Sequence, residues 1–363
     1  MTPRRDGAGS ITSADSIVFT DCHGLTATPG HAPAPSAAGR RRDVVVNGRR
    51  VKTVDVHAHC AVPEAMSLLG QKVGTPALLM SQAAERLRAM DEQGIDVEAL
   101  SINAYWYKAE RDVAQKLIAL QNEKLAEFCA AHPERFVAFA SVALQHPDLA
   151  AAQLEEAVKK FGLRGAAIGG SVNGEELADP KFHPFWAKVE QLGVLVFIHP
   201  QATGAPSELG SRFKGSGGLD NVISNPLETT IALSHLIFEG TLDKFPGLKV
   251  IAAHGGGYLP SYADRSDHAC MVGPAGCKTD VALKKKPTEY LKQLYFDSLI
   301  FSPEAIRHLA AQVGASQIVL GSDYPYPWQL KPVDHIFACD SLSDDQKVAV
   351  LGGTAAKLLN ING

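Results

Sequence analysis

No run of apolar residues in this 363-residue chain approaches the roughly 20 that a membrane-crossing helix needs, so no membrane helix is expected. Charge of one sign is equally scarce. Lys and Arg number 35 against 39 Asp and Glu, a formal net charge of −4, which offers no electrostatic footprint for nucleic acid or an anionic membrane. The six cysteines (Cys22, Cys60, Cys129, Cys270, Cys277 and Cys339) lack close-paired metal-finger spacing and read as reduced thiols of a cytoplasmic protein. The Arg4-Arg5 pair is not followed by an apolar core, which removes a twin-arginine export signal. No internal repeat and no second domain stand out. At 45% hydrophobic and 20% charged residues, the composition is that of an ordinary globular chain.

Present instead is a regular alternation. Strand-like apolar runs fall at 53–59, 97–102, 135–143, 163–168, 194–199, 248–253, 294–299 and 317–322. Helical patterns separate most of them, at 82–94, 110–131, 148–161, 182–192, 226–239, 303–313 and finally 343–359. In the second of these, Val113, Leu117, Leu120, Leu125 and Phe128 recur near helical spacing and mark one buried face. Val194-Leu195-Val196-Phe197-Ile198 is apolar throughout, as a parallel strand covered on both sides should be. Eight strands alternating with helices predict an α/β fold, a (β/α)8 TIM barrel, with a doubly wound open sheet as the second choice. Residues 1–43 are rich in Gly, Ala, Ser, Pro and Arg without apolar periodicity and read as a flexible N-terminal extension; residues 44–363 form the single barrel domain. Between them, Asn47-Gly48 predicts a hairpin turn leading into the first strand.

Four strand ends carry a histidine or an aspartate. His57 and His59, two apart on one strand, point to the same face and can enter the barrel mouth together. Taken singly, such a pair, His199 before Pro200, or Asp323 within Gly321-Ser322-Asp323-Tyr324-Pro325 reads equally well as a core residue or a turn cap. Together His57, His59, His199 and Asp323 offer three nitrogens and one oxygen, a set suited to one divalent metal ion; Zn2+ fits best, and Mn2+ and Fe2+ also fit. His254, opening His254-Gly255-Gly256-Gly257, reads as a fifth ligand, a structural residue or a proton shuttle, and a group titrating near neutrality favours the shuttle. Arg265 is either a surface ion-pair residue or an anchor for a substrate carboxylate. Asp297 either supports the ligands or belongs to the core; Trp106 and Tyr107 either line the pocket or pack. Cys60 should face away from His59, and Lys284-Lys285-Lys286 reads as solvated surface.

These features, in this order, resemble the amidohydrolase superfamily, in the branch of 2-amino-3-carboxymuconate-6-semialdehyde decarboxylase and related aromatic-acid decarboxylases. The resemblance rests on Val54-Asp55-Val56-His57-Ala58-His59, the run from Arg86 to Asp96, Phe197-Ile198-His199-Pro200, Glu228-Thr229-Thr230-Ile231-Ala232, the stretch from Lys244 to Val250 with its following His254-Gly-Gly-Gly, and Gly321 to Pro325. It implies that His57, His59, His199 and Asp323 bind the metal, that His254 is the acid/base residue, and that Arg265 meets a substrate carboxylate, in some relatives across a subunit interface; His254, Asp323 or metal-bound water is expected to deliver the proton. The expected activity is non-oxidative decarboxylation of an unsaturated or hydroxylated aromatic carboxylic acid by a homodimer or higher homo-oligomer. Hydrolysis of an amide or lactone, hydration of a conjugated acid and a non-catalytic metal-binding barrel are the alternatives. No lysine stands at the end of the fourth strand, Ala166-Ala167-Ile168-Gly169-Gly170, to bridge two metals. The chain departs from the branch in two places. The stretch between Cys60 and Arg86 holds no arginine, and Gln201 stands where an aromatic residue follows the His-Pro pair.

Overall fold

Strand β1 (Val54–His59) pairs in parallel with β2 (Val97–Ser101), and β2 with β3 (Phe136–Ala138). A second run pairs β4 (Gly165–Ile168), β5 (Leu195–Ile198), β6 (Lys249–Ala252), β7 (Leu294–Asp297) and β8 (Ile318–Val319), all parallel. Isolated bridges close the ring: Ala140 to Ala166 joins the two runs on one side, and Asp55 to Leu320 with Ala58 to Tyr324 joins β8 back to β1 on the other. The result is the expected eight-stranded barrel. The computed structural model describes residues 18–19, 41–201, 212–272 and 281–362.

A helix follows every strand: α1 (Ala83–Gln93), α2 (Arg111–Ala131), α3 (Pro147–Lys159), α4 (His183–Leu192), α5 (Ser224–Phe238), α6 (Leu259–Met271), α7 (Pro303–Val313) and α8 (Asp344–Val348). Local chemistry fixes their ends. Ser302 caps α7 by accepting the Ala305 N–H at 3.1 Å, with Pro303 in the first turn. Two of the helices stop at glycines in the left-handed region, Gly94 after α1 and Gly193 after α4. Between barrel and helices lies the larger apolar layer. Inside the barrel a smaller core gathers Val54, Val56, Val97, Phe139, Leu195, Phe197, Ile251 and Val319, with Phe139 stacked on Phe197 at 5.8 Å between centroids.

The structure departs from the sequence reading in four places. The last helix is interrupted: after α8, which a Ser343–Gln346 capping box opens, the chain widens into a π turn at Ala349–Gly353 and resumes at Thr354–Leu358. There Gly352 lies so close to the backbone leading into β1 that an added Cβ would sit 2.1 Å from the Lys52 carbonyl oxygen. Helix α6 was not expected, because the glycines and Pro260 read as a loop; Pro260 in fact sits in the first turn, where its missing N–H costs nothing. The third strand is shorter than 135–143, since beyond Ala138 only Ala140 bridges to β4. Cys270 is disulfide-bonded while Cys60, Cys129 and Cys339 are free, so the reduced-thiol expectation fails at Cys270. Linear spacing does not show which thiols meet in space.

The Asn47-Gly48 hairpin is present, Val45–Val46 against Arg49–Arg50, with both turn residues at positive φ. The chain is tied down from Arg41 onward: Arg41 and Arg50 reach Asp96, and Arg42 reaches Asp334. Most of the expected flexible extension, residues 1–43, lies outside the described residues; within it, Val18–Phe19 pairs in parallel with Lys72–Val73. Truncating Phe139 to Ala should hollow the barrel interior and cost about 3–5 kcal/mol, read as a shift in the denaturant midpoint with an unchanged slope.

Candidate metal centre

The site begins with an irregularity in β1. Between Asp55 and Ala58 the β1–β2 register slips: Asp55 pairs with Glu98, yet Ala58 pairs with Leu100. One extra residue on β1 is a β-bulge. Val54 and Val56 face the barrel interior, while Ala58 and Cys60 belong to the outer layer. Strict alternation from Val56 would therefore turn His57 and His59 outward. The bulge reverses the phase and aims both imidazoles inward.

His57, His59, His199 and Asp323 are all buried, and each offers one ligand atom such that all of these lie within 4.8 Å of one another, the one such group among the described residues. The His57 and His59 Nε2 atoms are 3.1 Å apart, and Asp323 Oδ1 lies 3.3 Å and 2.9 Å from them. Donors held about 2.0–2.1 Å from one tetrahedral centre would stand about 3.3 Å from each other. His199 stacks edge-on against both, at 5.0 Å from His57 and 4.6 Å from His59, and neither of its ring nitrogens has a hydrogen-bond partner. A buried imidazole without partners is costly unless something electrophilic completes it. The four residues form a divalent-metal site.

Neighbouring groups fix which imidazole nitrogen faces inward. The Nδ1–H of His57 donates to Asp297 Oδ2 at 2.6 Å, and Ser101 Oγ lies 3.0 Å from His59 Nδ1, so both Nε2 atoms are left for the ion. Asp297 also accepts the backbone N–H of His254 (3.0 Å), Gly255 (2.9 Å) and Leu299 (3.1 Å). Of its two sequence readings, the supporting one holds. Asp55 accepts the N–H of His57 at 2.9 Å and the N–H of Ser322 at 3.2 Å, and takes the Ser322 hydroxyl as well, which joins β1 to the residue before Asp323.

Backbone strain concentrates here. His254 and Asp323 both adopt positive φ, 55° and 65°, although neither is glycine. In the run His254 to Gly257 every residue has positive φ. Only glycine tolerates the last place: a Cβ on Gly257 would stand 2.0 Å from the Pro226 carbonyl oxygen of α5. This turn brings the His254 ring to 5.3 Å from His57 and 5.4 Å from His199, with Nδ1 buried and unpartnered.

The protonation states follow from burial and neighbours. Burial disfavours charged His57, but the carboxylates of Asp323 and Asp297 outweigh it and push the group up to about 10. Burial holds His199 well below its ordinary value, and burial with the charge of His57 lowers His254 to about 4. Asp323 lies well below the usual carboxylate range, because His57 and His59 overcome its desolvation. Burial and nearby Glu98 raise Asp55 to about 7.

Other sequence candidates fall elsewhere. Trp106 is fully buried, its indole N–H donating to the Val142 carbonyl at 2.9 Å, and it packs rather than lines a pocket. Tyr107 is also buried, and its hydroxyl accepts the Gly169 N–H at 3.1 Å at the end of β4. Cys60 faces the outer layer, and burial pushes its thiol up to about 12. Lys284, Lys285 and Lys286 are exposed. Arg265 is not brought to the cluster: it is exposed on α6, beside a groove of about 370 Å³ shared with Thr230 and Ser234 of α5. Gln201, two residues beyond His199, spans the mouth, its backbone N–H on Glu228 at 3.0 Å and its carboxamide on the Ala104 carbonyl.

Sequence reading missed Asp55, Arg86, Glu98 and Ser101 as parts of the site. Its one usable signal was a charged residue inside an otherwise buried run, Asp55 in β1 and Glu98 in β2.

With this geometry in hand, the chain can be placed: residues 54–361 match the Amidohydrolase family, and the chain belongs to it. It is 31% identical over 284 residues to 2-amino-3-carboxymuconate-6-semialdehyde decarboxylase of Dictyostelium discoideum, covering 76% of each chain. Among solved structures it is similar to 5-carboxyvanillate decarboxylase from Sphingomonas paucimobilis, with a TM-score of 0.77 and 26% identity over 86% of this chain and 100% of that one. It is also similar to dihydroxybenzoic acid decarboxylase from Polaromonas sp. JS666, solved with bound manganese and the inhibitor 2-nitroresorcinol, with a TM-score of 0.70 and 26% identity over 86% and 98% of the two chains. No helix among the described residues is long and apolar enough to cross a membrane.

Below pH 10 the metal-free chain keeps a proton on His57 that a metal must displace. Below about 10 the affinity for a divalent ion should therefore rise with pH, by up to roughly tenfold per unit for this one proton, and above it level off. Calorimetric titration of metal-free protein across that range checks this, and a flat profile would contradict the assigned proton.

Proposed function

We propose that this chain is a metal-dependent carboxy-lyase that removes CO2 non-oxidatively from a hydroxylated aromatic or unsaturated carboxylic acid. The observation that carries the reading is the convergence of three imidazoles and one carboxylate on a common point with His254 alongside. Its support from relatives is that the matched family members named above are decarboxylases of such acids.

His57, His59, His199 and Asp323 would hold the ion. Bound there, it supplies Lewis acidity that orients the carboxylate or an adjacent oxygen. Zn2+ suits this donor set, and Mn2+ and Fe2+ fit it too; elemental analysis of the purified protein decides among them. The remaining work is done by protein groups. His254, kept neutral by burial, can exchange a proton with the substrate without adding a second cation to the cluster. Neutral His254 or the Asp323 carboxylate would first take a proton from a substrate hydroxyl or a water and then pass it to the carbon bearing the carboxylate, where a pair of π electrons forms the C–H bond. The bond from that carbon to the carboxylate then breaks, its electron pair returns to the π-system, and CO2 leaves. The glycine turn places His254 for this, and Asp297 anchors the same turn while fixing His57.

The wall next to the cluster suits a flat substrate. Tyr326 lies 6.0 Å from His59 between ring centroids and packs with Ala61, Met66 and Leu78. Arg265, exposed on α6, serves this reading through a second copy of the chain, where its guanidinium meets the substrate carboxylate of the neighbouring subunit; the active form is then a homodimer or larger.

Two outcomes are expected. Metal-loaded protein should release CO2 from a panel of hydroxylated benzoic and carboxymuconate-type acids, and chelation should abolish this until metal is restored. Cleavage of amides or lactones without CO2 release would replace the reading by hydrolysis. His254→Asn should retain its metal yet lose about 10²–10⁴ in kcat; loss of metal in that variant would assign His254 to the ligands instead.

A further inference from the structure

We propose that Arg86 is a positioning residue for the metal centre. By holding the end of β1 and the turn beyond β8 together, it sets how tightly the chain binds a divalent ion. The inference rests on the reading that the cluster binds such an ion.

Three of the four ligand residues stand at one seam. His57 and His59 lie on β1, and Asp323 follows β8, which is only two residues long. The two strands meet through isolated bridges rather than a continuous ladder. Around those bridges the seam is held by Asp323 N–H donating to the His57 carbonyl at 2.8 Å, by His59 N–H donating to the Tyr324 carbonyl at 2.6 Å and by the bonds from Ser322 to Asp55. Asp323 itself is held at φ 65°. A non-glycine residue stays in that region only when its surroundings over-determine it.

Arg86 supplies that constraint from behind. It projects from α1 and is 2% exposed, the one buried lysine or arginine among the described residues. One guanidinium nitrogen donates to Glu98 Oε2 of β2 at 2.8 Å, another donates to the His59 carbonyl, and the plane stacks over the Tyr324 ring at 4.6 Å from its centroid. A single rigid fork thus touches β2, the ligand-bearing end of β1 and the residue next to Asp323. Arginine suits this because it combines paired donors with a face that stacks on aromatics, and lysine has neither. An ion pair is not needed there for stability, since well-packed apolar side chains of like volume serve as well in a buried site. An apolar pair, however, could not tie the His59 carbonyl to the Tyr324 ring.

The test is Mn2+ titration of metal-free protein, with free Mn2+ followed by electron paramagnetic resonance and thermal melts run alongside. Arg86→Lys keeps the charge but cannot make both hydrogen bonds and the stack; Arg86→Met removes all three. Both should weaken Mn2+ binding about 10–100-fold. The control is Arg135→Met, which loses Asp91 and the Ile95 and Asp96 carbonyls at the opposite end of the barrel. It should melt earlier and keep its Mn2+ Kd within about twofold. If Arg86→Met does not fold, Arg86→Lys decides alone. Wild-type affinity in Arg86→Lys overturns the proposal whatever its melting temperature. A wild-type protein that binds no Mn2+ sinks the metal reading and this inference with it, so the two failures are distinguishable.

Discussion

The site depends on one extra residue in β1. The inner core of the barrel needs Val54 and Val56 to face inward, and the ligand cluster needs His57 and His59 to face inward as well. A regular strand cannot satisfy both demands, because its side chains alternate with period two. The bulge between Asp55 and Ala58 meets both by shifting the phase once. Asp55 stabilises that shift, since its carboxylate takes the N–H of His57 at the bulge and binds Ser322 across the seam. Packing below and chemistry above are thereby joined on a single strand.

Around this strand the supporting groups divide by task. Asp297 ties the orientation of the His57 imidazole to the His254–Gly255 turn, so one carboxylate fixes a ligand and the neighbouring titratable ring together. Arg86 and Glu98 lie behind the ligands, and the aromatic and aliphatic wall of Tyr326, Met66 and Leu78 lies beside them. The strained positions, His254 and Asp323, lie where these constraints meet. Strain localised at reacting groups and held by packed surroundings is characteristic of functional sites.

Much of this was legible in the sequence. All eight strands stand where apolar runs predicted them, because strands buried on both faces leave unbroken hydrophobic segments. The four ligands were legible because polar residues at the ends of such segments are conspicuous. What lay hidden was contact made at a distance. Nothing in Arg86-Leu87-Arg88 says that the first arginine points into the protein and the second does not, and the bulge leaves no mark in a run of alternating letters. Helix α6 was masked by the glycines before it and by Pro260 in its first turn, which equally describe a loop. Trp106 follows a strand, as pocket residues do, yet its N–H is satisfied within the core.

The two carboxylates that flank the imidazoles carry one further consequence. With Asp297 and Asp323 both held ionised, a dication between them would leave the cavity electrically balanced before any organic acid arrives. An incoming anion would then be the surplus charge in a medium that solvates it poorly. Turning that anion, with one proton taken up, into a neutral gas and a neutral ring relieves the imbalance, so the charges that line the cavity favour the loss of CO2.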